Sequence, residues 1–236
     1  MELYQNFAMH YDSIFPVSGK TVDFLHQHFE TGVLLDLGCA TGGYVAELTS
    51  LGYATKGLDL DPTMIEVAKN KHPDIASHFY VSNLVDFDTT IHYHGMFCIG
   101  NTLVHLPNES SMLKFFQRVY HALEDHGTFI LQIVNYDRIL SKKIEALPTI
   151  ELNGRRFERS YRHENKKIVF QTVLSYQEER YEAETILLPL QSNHLLRLLQ
   201  QAGFSYLECY GGFDGAIFQP FSSFALVVVA SKELSK

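Results

Sequence analysis

Apolar and polar positions alternate in two rhythms along the first 135 residues of the chain. Short apolar runs of strand length are separated by segments in which apolar residues recur at helical spacing. The runs predict strands at 33–36, 54–60, 78–81, 96–99 and 128–134, and the segments predict helices at 42–51, 62–71 and 109–123. Repeated strand–helix units are typical of a parallel sheet with helices on both faces. We therefore expect one doubly wound, Rossmann-like α/β domain over 1–236.

The pattern changes after the fifth predicted strand. Alternating segments at 155–163, 167–176 and 181–188 are separated by Asn-Gly and Asn-Lys pairs, which are typical of tight turns between antiparallel strands. Helical spacing returns at 193–201, and two further strands are predicted at 204–210 and 224–230. The sequence thus predicts an antiparallel β flap, at about 149–190, inserted after strand five.

Composition and charge narrow the class of protein. The formal net charge of -8 and the pI near 5.8 make nucleic acid an unlikely partner, because phosphate-binding surfaces are basic. The thiols Cys39, Cys98 and Cys209 are odd in number and lack metal-ligand spacing, so we expect free thiols in a reducing compartment. The N-terminus has no signal-peptide pattern, and the longest apolar run, 225–230, is too short to cross a bilayer. We expect a cytoplasmic protein without a membrane partner.

The most informative stretch is the small-residue loop after the first predicted strand, residues 36–43 (DLGCATGG). Small residues between a buried strand and a helix let the backbone approach a ligand at the carboxyl edge of the sheet. Asp59 ends the second predicted strand, about 20 positions after Gly38, where nucleotide-binding folds place a carboxylate for ribose hydroxyls. Loop and acid therefore predict one adenosine-type pocket.

Two cofactors compete for this pocket. Gly38, Ala40 and Gly43 have the spacing of the dinucleotide-binding fingerprint, with alanine in place of its middle glycine. Asp36, however, precedes the first glycine, where a carboxylate repels a pyrophosphate and attracts an ammonium or a sulfonium group. The charge favours S-adenosylmethionine, and a nicotinamide dinucleotide stays as an alternative.

Residues 33–42 (VLLDLGCATG) and 57–65 (GLDLDPTMI) together resemble the class I S-adenosylmethionine-dependent methyltransferases. The resemblance implies a seven-stranded, mostly parallel sheet and a cofactor site. In that site Asn83 stands where the family usually has an acidic residue. The resemblance implies that the methionine end of the cofactor contacts Asp36, Gly38, Cys39, Ala40 and Gly42, and that the ribose contacts Asp59. It implies that the adenine contacts Leu60, Met64, Asn83 and Leu84. Gly100 would lie on the methyl-transfer side, and Tyr11, from an opening helix at 4–12, would cover the cofactor.

Methyl transfer from a sulfonium is a direct displacement, so alignment and exclusion of water are the main demands on the protein. If the acceptor is a protonated amine or a hydroxyl, a base helps, and His105, Tyr136 and Asp137 follow strands four and five at the ligand-binding edge. His105 also fits a partly exposed packing residue, and Asp137 a cap or turn. Asn135-Tyr136-Asp137 resembles glycine N-methyltransferase-like enzymes. We expect no metal site, because His92 and His94 lack further ligands at suitable spacing.

The first hypothesis is a small-molecule methyltransferase whose partner is its methyl acceptor. One alternative is an RNA methyltransferase that uses the flap, whose basic residues are Arg155, Arg156, Arg159, Arg162, Lys166 and Lys167. Glu158 and Glu164 interleave with them, which favours a solvated, internally paired face. The other alternative is a noncatalytic module that binds S-adenosylmethionine.

Overall fold

The structure is a computed structural model that describes residues 8–165 and 167–233. The start of the predicted opening helix, residues 4–7, and the flap residue Lys166 lie outside these ranges. Within them, no helix is both long and apolar enough to span a membrane.

A seven-stranded sheet forms the centre of the molecule. Its strands are β1 (Val33–Leu37), β2 (Ala54–Asp59), β3 (Phe79–Val81), β4 (Tyr93–Cys98), β5 (Leu123–Val134), β10 (Tyr206–Tyr210) and β11 (Ala225–Ser231), in the order β10-β11-β5-β4-β1-β2-β3. The first five strands pair in parallel, and β11 is antiparallel to both β5 and β10. The predicted fold class, with five parallel strands and a C-terminal hairpin, is confirmed.

Helices cover both faces of this sheet. They are α1 (Tyr11–Ile14), α2 (Gly19–His28), α3 (Gly43–Ser50), α4 (Pro62–Lys71), α5 (Glu109–Ala122), α6 (Tyr136–Ser141) and α7 (Ser192–Ala202). Neighbouring strand residues point to opposite faces, so Leu34 packs with the apolar side of α2 and Leu35 with that of α5 and α7. This two-sided core explains why the central strands are almost uniformly apolar.

The flap is a separate antiparallel sheet of four strands, in the order β6-β7-β8-β9. The strands are β6 (Ala146–Leu152), β7 (Arg155–Glu164), β8 (Lys167–Tyr176) and β9 (Glu179–Leu187). Asn153 and Gly154 both have positive φ, 52° and 72°, as a two-residue hairpin turn requires. The first of these strands was not predicted, so the inserted sheet begins at Ala146 and not near residue 149.

The flap packs on the N-terminal segment. Phe157 and Leu174 of the flap share a buried cluster with Ala8 and Ile14, and the Phe15 and Phe157 rings meet edge to face with centroids 5.6 Å apart. The flap therefore supports the N-terminal segment, which lines one side of the cavity described next.

Candidate active site

The loop after β1 turns back over the end of β2. The backbone N–H groups of Gly38 and Cys39 both donate to the carbonyl of Leu58, each at 2.8 Å. Gly38 has φ +96°, and a Cβ there would lie 2.6 Å from Cγ2 of Thr102. A tight turn with no room for a side chain explains the glycine at this position.

Asp59 is tied to this loop. One carboxylate oxygen accepts the N–H of Ala40 and the other accepts the N–H of Asp61, both at 2.9 Å. Burial raises the pKa of Asp59, although these N–H bonds act in the opposite direction. Each oxygen keeps a lone pair for a further donor such as a hydroxyl.

Asp36 is the least satisfied charge in the described part of this loop. Asp36 is only 2% exposed, and its Oδ1 is buried without a hydrogen-bond partner. Burial, and secondarily the charge of Asp59, raises the pKa of Asp36 well above its usual range. A buried carboxylate in this state is stabilised by a cation.

A cavity of about 370 Å³ opens beside this carboxylate. Six of the residues predicted to contact the cofactor line it: Tyr11, Asp36, Gly38, Cys39, Ala40 and Gly100. Its remaining lining is largely aromatic or aliphatic, and its charged residues, Asp12 and Asp36, are both acidic. The cavity therefore suits a ligand that is cationic at one end.

The other residues predicted to contact the cofactor do not line this cavity; they are Gly42, Asp59, Leu60, Met64, Asn83 and Leu84. Leu60 is 61% exposed beside the end of β2, whereas Met64 and Leu84 are buried in the core. Oδ1 of Asn83 accepts the N–H of Val85 at 3.0 Å. The contacts of Gly42 with the methionine end, of Asp59 with the ribose and of the other four residues with the adenine stay predictions.

Several cavity residues were not predicted from the sequence, namely Phe15, Tyr44, Ile99, Gln132 and Phe213. Gln132 is the polar residue in the apolar second half of β5, residues 129–134, and its Oε1 accepts the N–H of Gly100 at 2.8 Å. That interruption of an apolar strand was a detectable signal. Phe213 lies in the long connection between β10 and β11, where no local pattern indicated it.

The N-terminal segment is fastened to the loop. Oγ1 of Thr41 donates to Asp12 at 2.5 Å, and Asp12 also forms an ion pair with Lys71 of α4. The rings of Tyr11 and Phe15 pack with centroids 5.3 Å apart. These contacts hold Tyr11 at the cavity wall.

The three candidate bases do not line the cavity. His105 lies in the short 3-10 helix Thr102–His105 after β4, and its ring keeps access to solvent. The surrounding protein desolvates the ring and lowers the pKa of His105, so the neutral form dominates at neutral pH. A neutral imidazole can accept a proton.

Tyr136 and Asp137 are engaged elsewhere. Tyr136 is buried, its hydroxyl accepts from Nδ2 of Asn101 at 3.1 Å, and burial raises the pKa of this phenol, which disfavours a role as base. One Asp137 oxygen accepts the N–H of Ser192 at 2.9 Å at the start of α7. Asp137 therefore acts as the helix-terminal cap that the sequence allowed.

The basic residues of the flap are largely paired. Arg156 contacts Glu151 and Glu158, and Arg162 contacts Glu164 and Glu184. Arg155 donates to Nδ1 of His10 at 3.1 Å and stacks on Tyr176. The described residues thus form the internally paired face that the interleaved glutamates predicted.

Comparison with known proteins supports the family that the sequence motifs resemble. Residues 34–127, which contain the loop and Asp59, match the family model described as "Methyltransferase domain". This match and the relatives below support a class I S-adenosylmethionine-dependent methyltransferase. The match covers the region from β1 to the start of β5, and both predicted sequence motifs fall almost entirely within it.

Two curated relatives extend the similarity beyond that region. A glycine/sarcosine/dimethylglycine N-methyltransferase of Actinopolyspora halophila is 26% identical over 201 residues, which cover 81% of this chain but only 35% of the relative. A glycine/sarcosine N-methyltransferase of Halorhodospira halochloris is 26% identical over 208 residues, 85% of this chain and 75% of the relative. The chain thus spans about a third of the length of the first relative.

Solved structures agree with the fold. An S-adenosylmethionine-dependent methyltransferase from Clostridium acetobutylicum superimposes with a TM-score of 0.84 at 17% identity, covering 98% of this chain and 99% of the other. A sugar N-methyltransferase from Streptoalloteichus has a TM-score of 0.72 at 15% identity, covering 97% and 93% of the two chains. The inserted flap is therefore part of an architecture that such enzymes share.

Proposed function

We propose that this methyltransferase transfers the methyl group of S-adenosylmethionine to an amine nitrogen of a small molecule. The observation that carries the proposal is the buried carboxylate of Asp36, whose Oδ1 has no partner at the wall of a largely apolar cavity. The amine as acceptor is supported by the relatives named glycine/sarcosine N-methyltransferases, which match more than four fifths of the chain.

The cavity residues fit the cofactor. The ammonium group of S-adenosylmethionine would neutralise Asp36 and offset the cost of burying that charge. Gly38 leaves the backbone accessible to a ligand, and Asp59 keeps lone pairs for hydroxyl donors. A pyrophosphate would instead face two acidic residues of the cavity lining, Asp12 and Asp36.

When bound, the cofactor supplies an electrophilic methyl group whose leaving group is a neutral thioether. The protein then has to position the acceptor and exclude water. Phe15, Tyr44 and Phe213 give the cavity aromatic walls that serve both purposes. The side chain of Gln132 holds the Gly100 turn at the same wall.

An amine acceptor must lose a proton before or after it attacks. His105 is the candidate that we retain for this step, because its lowered pKa keeps the ring neutral at neutral pH. Its place outside the cavity lining means that a proton would reach it through water. Tyr136 and Asp137 instead serve in our proposal as parts of the scaffold.

The alternative of an RNA acceptor has less support, because two of the flap arginines, Arg156 and Arg162, form ion pairs with glutamates. For a noncatalytic binding module we find no specific feature in the described part of the cavity. We therefore take the small-molecule enzyme as the function to test.

The test is transfer of a tritiated methyl group from S-adenosylmethionine to glycine, sarcosine, an amino-sugar nucleotide and transfer RNA, assayed side by side. We expect incorporation into at least one small amine and none into RNA. The Asp36→Asn variant is the matched negative control. Incorporation into RNA alone, or into no acceptor despite cofactor binding, would overturn the proposal.

A further inference from the structure

The Asn135-Tyr136-Asp137 run ties three segments together around the cavity. Tyr136 contacts Asn101, next to Gly100 in the turn after β4, and Asp137 holds the N-terminus of α7. Asn135 reaches the long connection between β10 and β11, residues 211–224. Three consecutive side chains thus fix three segments that are distant in sequence.

The contacts of Asn135 are the most extensive of the three. Asn135 is 0% exposed, and its Nδ2 donates to the carbonyls of Pro220 at 2.9 Å and Ser223 at 2.8 Å. Its backbone N–H donates to the carbonyl of Phe224 at 3.2 Å, and its Oδ1 caps α6 by accepting the N–H of Arg138 at 3.3 Å. A single side chain therefore joins the end of β5, the start of α6 and the 211–224 connection.

The connection that Asn135 holds also forms part of the cavity. Phe213 lines the cavity and packs edge to face on Phe24 of α2, with ring centroids 5.4 Å apart. Elsewhere the connection is open to solvent, with Ile217 and Phe221 strongly exposed. With so little of its own apolar surface buried, the connection depends on its few internal hydrogen bonds and on Asn135 for a defined position.

We propose that Asn135 is a positioning residue that holds the 211–224 connection, and with it Phe213, against the methyl-transfer side of the cavity. The assignment of a methyl-transfer side rests on the proposed function, whereas the placement of Phe213 does not. The partly buried carbonyls of Pro220 and Ser223 lose a hydrogen bond if the amide of Asn135 is removed, and a carbonyl left without a partner costs free energy.

The chain contains no tryptophan, so a Phe213→Trp reporter has a single indole whose emission reports the position of this connection. In that background, Asn135→Ser keeps a side chain that caps α6 but is too short to reach the carbonyls of Pro220 and Ser223. We expect its emission to shift to the red, and the emission change on adding S-adenosylhomocysteine to be reduced or lost. Because Asn135 itself does not line the cavity, the affinity for S-adenosylhomocysteine should change much less than in Asp36→Asn.

Asn108→Ser is the matched control, because Asn108 caps α5 in the same way, accepting the N–H of Ser111 at 2.9 Å. It should leave the emission and its response unchanged. Ser223→Ala is a second, milder variant: it removes the hydroxyl that accepts the N–H of Gln219 at 2.9 Å, and should shift the emission in the same direction by less.

With an acceptor identified by the tritium assay, Asn135→Ser should raise the KM for the acceptor and lower kcat while the KM for S-adenosylmethionine stays the same. Unchanged emission and response in Asn135→Ser would overturn the positioning role. If Asn135→Ser does not fold, Asn135→Thr, which can also cap α6 but is too short to reach the two carbonyls, takes its place, and unchanged emission there overturns the role. Failure of the unmodified chain to bind S-adenosylhomocysteine would instead count against the proposed function.

Discussion

The two sides of the cavity are built in different ways. On the side of β1 and β2, the contacts join residues about 20 positions apart in sequence. Leu58 and Asp59 of the adjacent strand hold the loop that contains Gly38 and Ala40. On the opposite side, Phe213 is positioned through Asn135, and the flap packs on the N-terminal segment. The first side is made mainly by backbone, and the second by side chains from distant segments.

This difference has a functional consequence. A site defined by turns and backbone N–H groups tolerates few substitutions, and it suits a ligand common to a whole family. A wall of side chains on connections changes easily, so it can adapt one fold to many acceptors. We therefore expect substitutions on the first side to affect cofactor affinity and those on the second to affect the acceptor.

The largest effect should come from Asp36→Asn. Removing one partner of a buried charge pair should weaken S-adenosylhomocysteine binding roughly a hundredfold, or about 3 kcal/mol. Asp86→Asn is the control, because Asp86 is an exposed residue paired only with Lys114 in the described structure. Calorimetric Kd values check the pair, and an unchanged Kd in Asp36→Asn would contradict the assigned role.

Gly38→Ala should have the next largest effect, measured as the free energy of unfolding in urea. Gly52 is the matched control, because its φ of +95° nearly equals the +96° of Gly38 while a Cβ there meets nothing within 4 Å. Gly52→Ala should cost about 1–2 kcal/mol of backbone strain. Gly38→Ala should cost about 1–3 kcal/mol more, because its Cβ overlaps Thr102. An equal loss of free energy of unfolding in the two variants would contradict the overlap between a Cβ at position 38 and Thr102.

The pH dependence of ligand binding tests the role of Asp36 on the first side of the cavity. Since the pKa of Asp36 is raised, protons compete with the cationic ligand at a higher pH than for an ordinary aspartate. Below that pKa, S-adenosylhomocysteine affinity should fall by up to about tenfold per pH unit. For the free protein the sign is opposite: the destabilisation by ionised Asp36 is fully present above the raised pKa and decreases as the pH falls from that pKa toward the ordinary aspartate value. Asp36→Asn should remove the contribution of Asp36 to both dependences, while the raised pKa of Asp59 keeps its own contribution.

Tyr136→Phe should have the smallest effect. It removes the hydroxyl that contacts Asn101, which should cost about 1 kcal/mol or a Tm decrease of about 2–4 °C. Methyl transfer per folded molecule should persist, because the buried phenol is part of the scaffold. Loss of transfer with a normal Kd and Tm would instead make Tyr136 a catalytic residue.

The extent to which the sequence predicted the molecule follows the same division. The sheet, the loop at 38–42 and the place of Asp59 were predictable because consecutive residues carry their signals. Helix α2 and strand β6 were not predicted. The buried Val22 and Leu25 of α2 stand at helical spacing, which was a detectable signal, whereas Pro148 interrupts the pattern of β6. Phe213 was not predictable, because its place depends on a hydrogen bond between residues 135 and 223. Asp137 was a candidate base because its partner, Ser192, lies 55 positions away in sequence.

The central claim is that the cavity beside Asp36 binds S-adenosylmethionine. Calorimetric titration of the full chain with S-adenosylhomocysteine, with a nicotinamide dinucleotide as the control ligand, tests it most directly. We predict saturable, stoichiometric micromolar binding of S-adenosylhomocysteine and no measurable binding of the dinucleotide. Binding of the dinucleotide alone, or of neither ligand by folded protein, would contradict the claim.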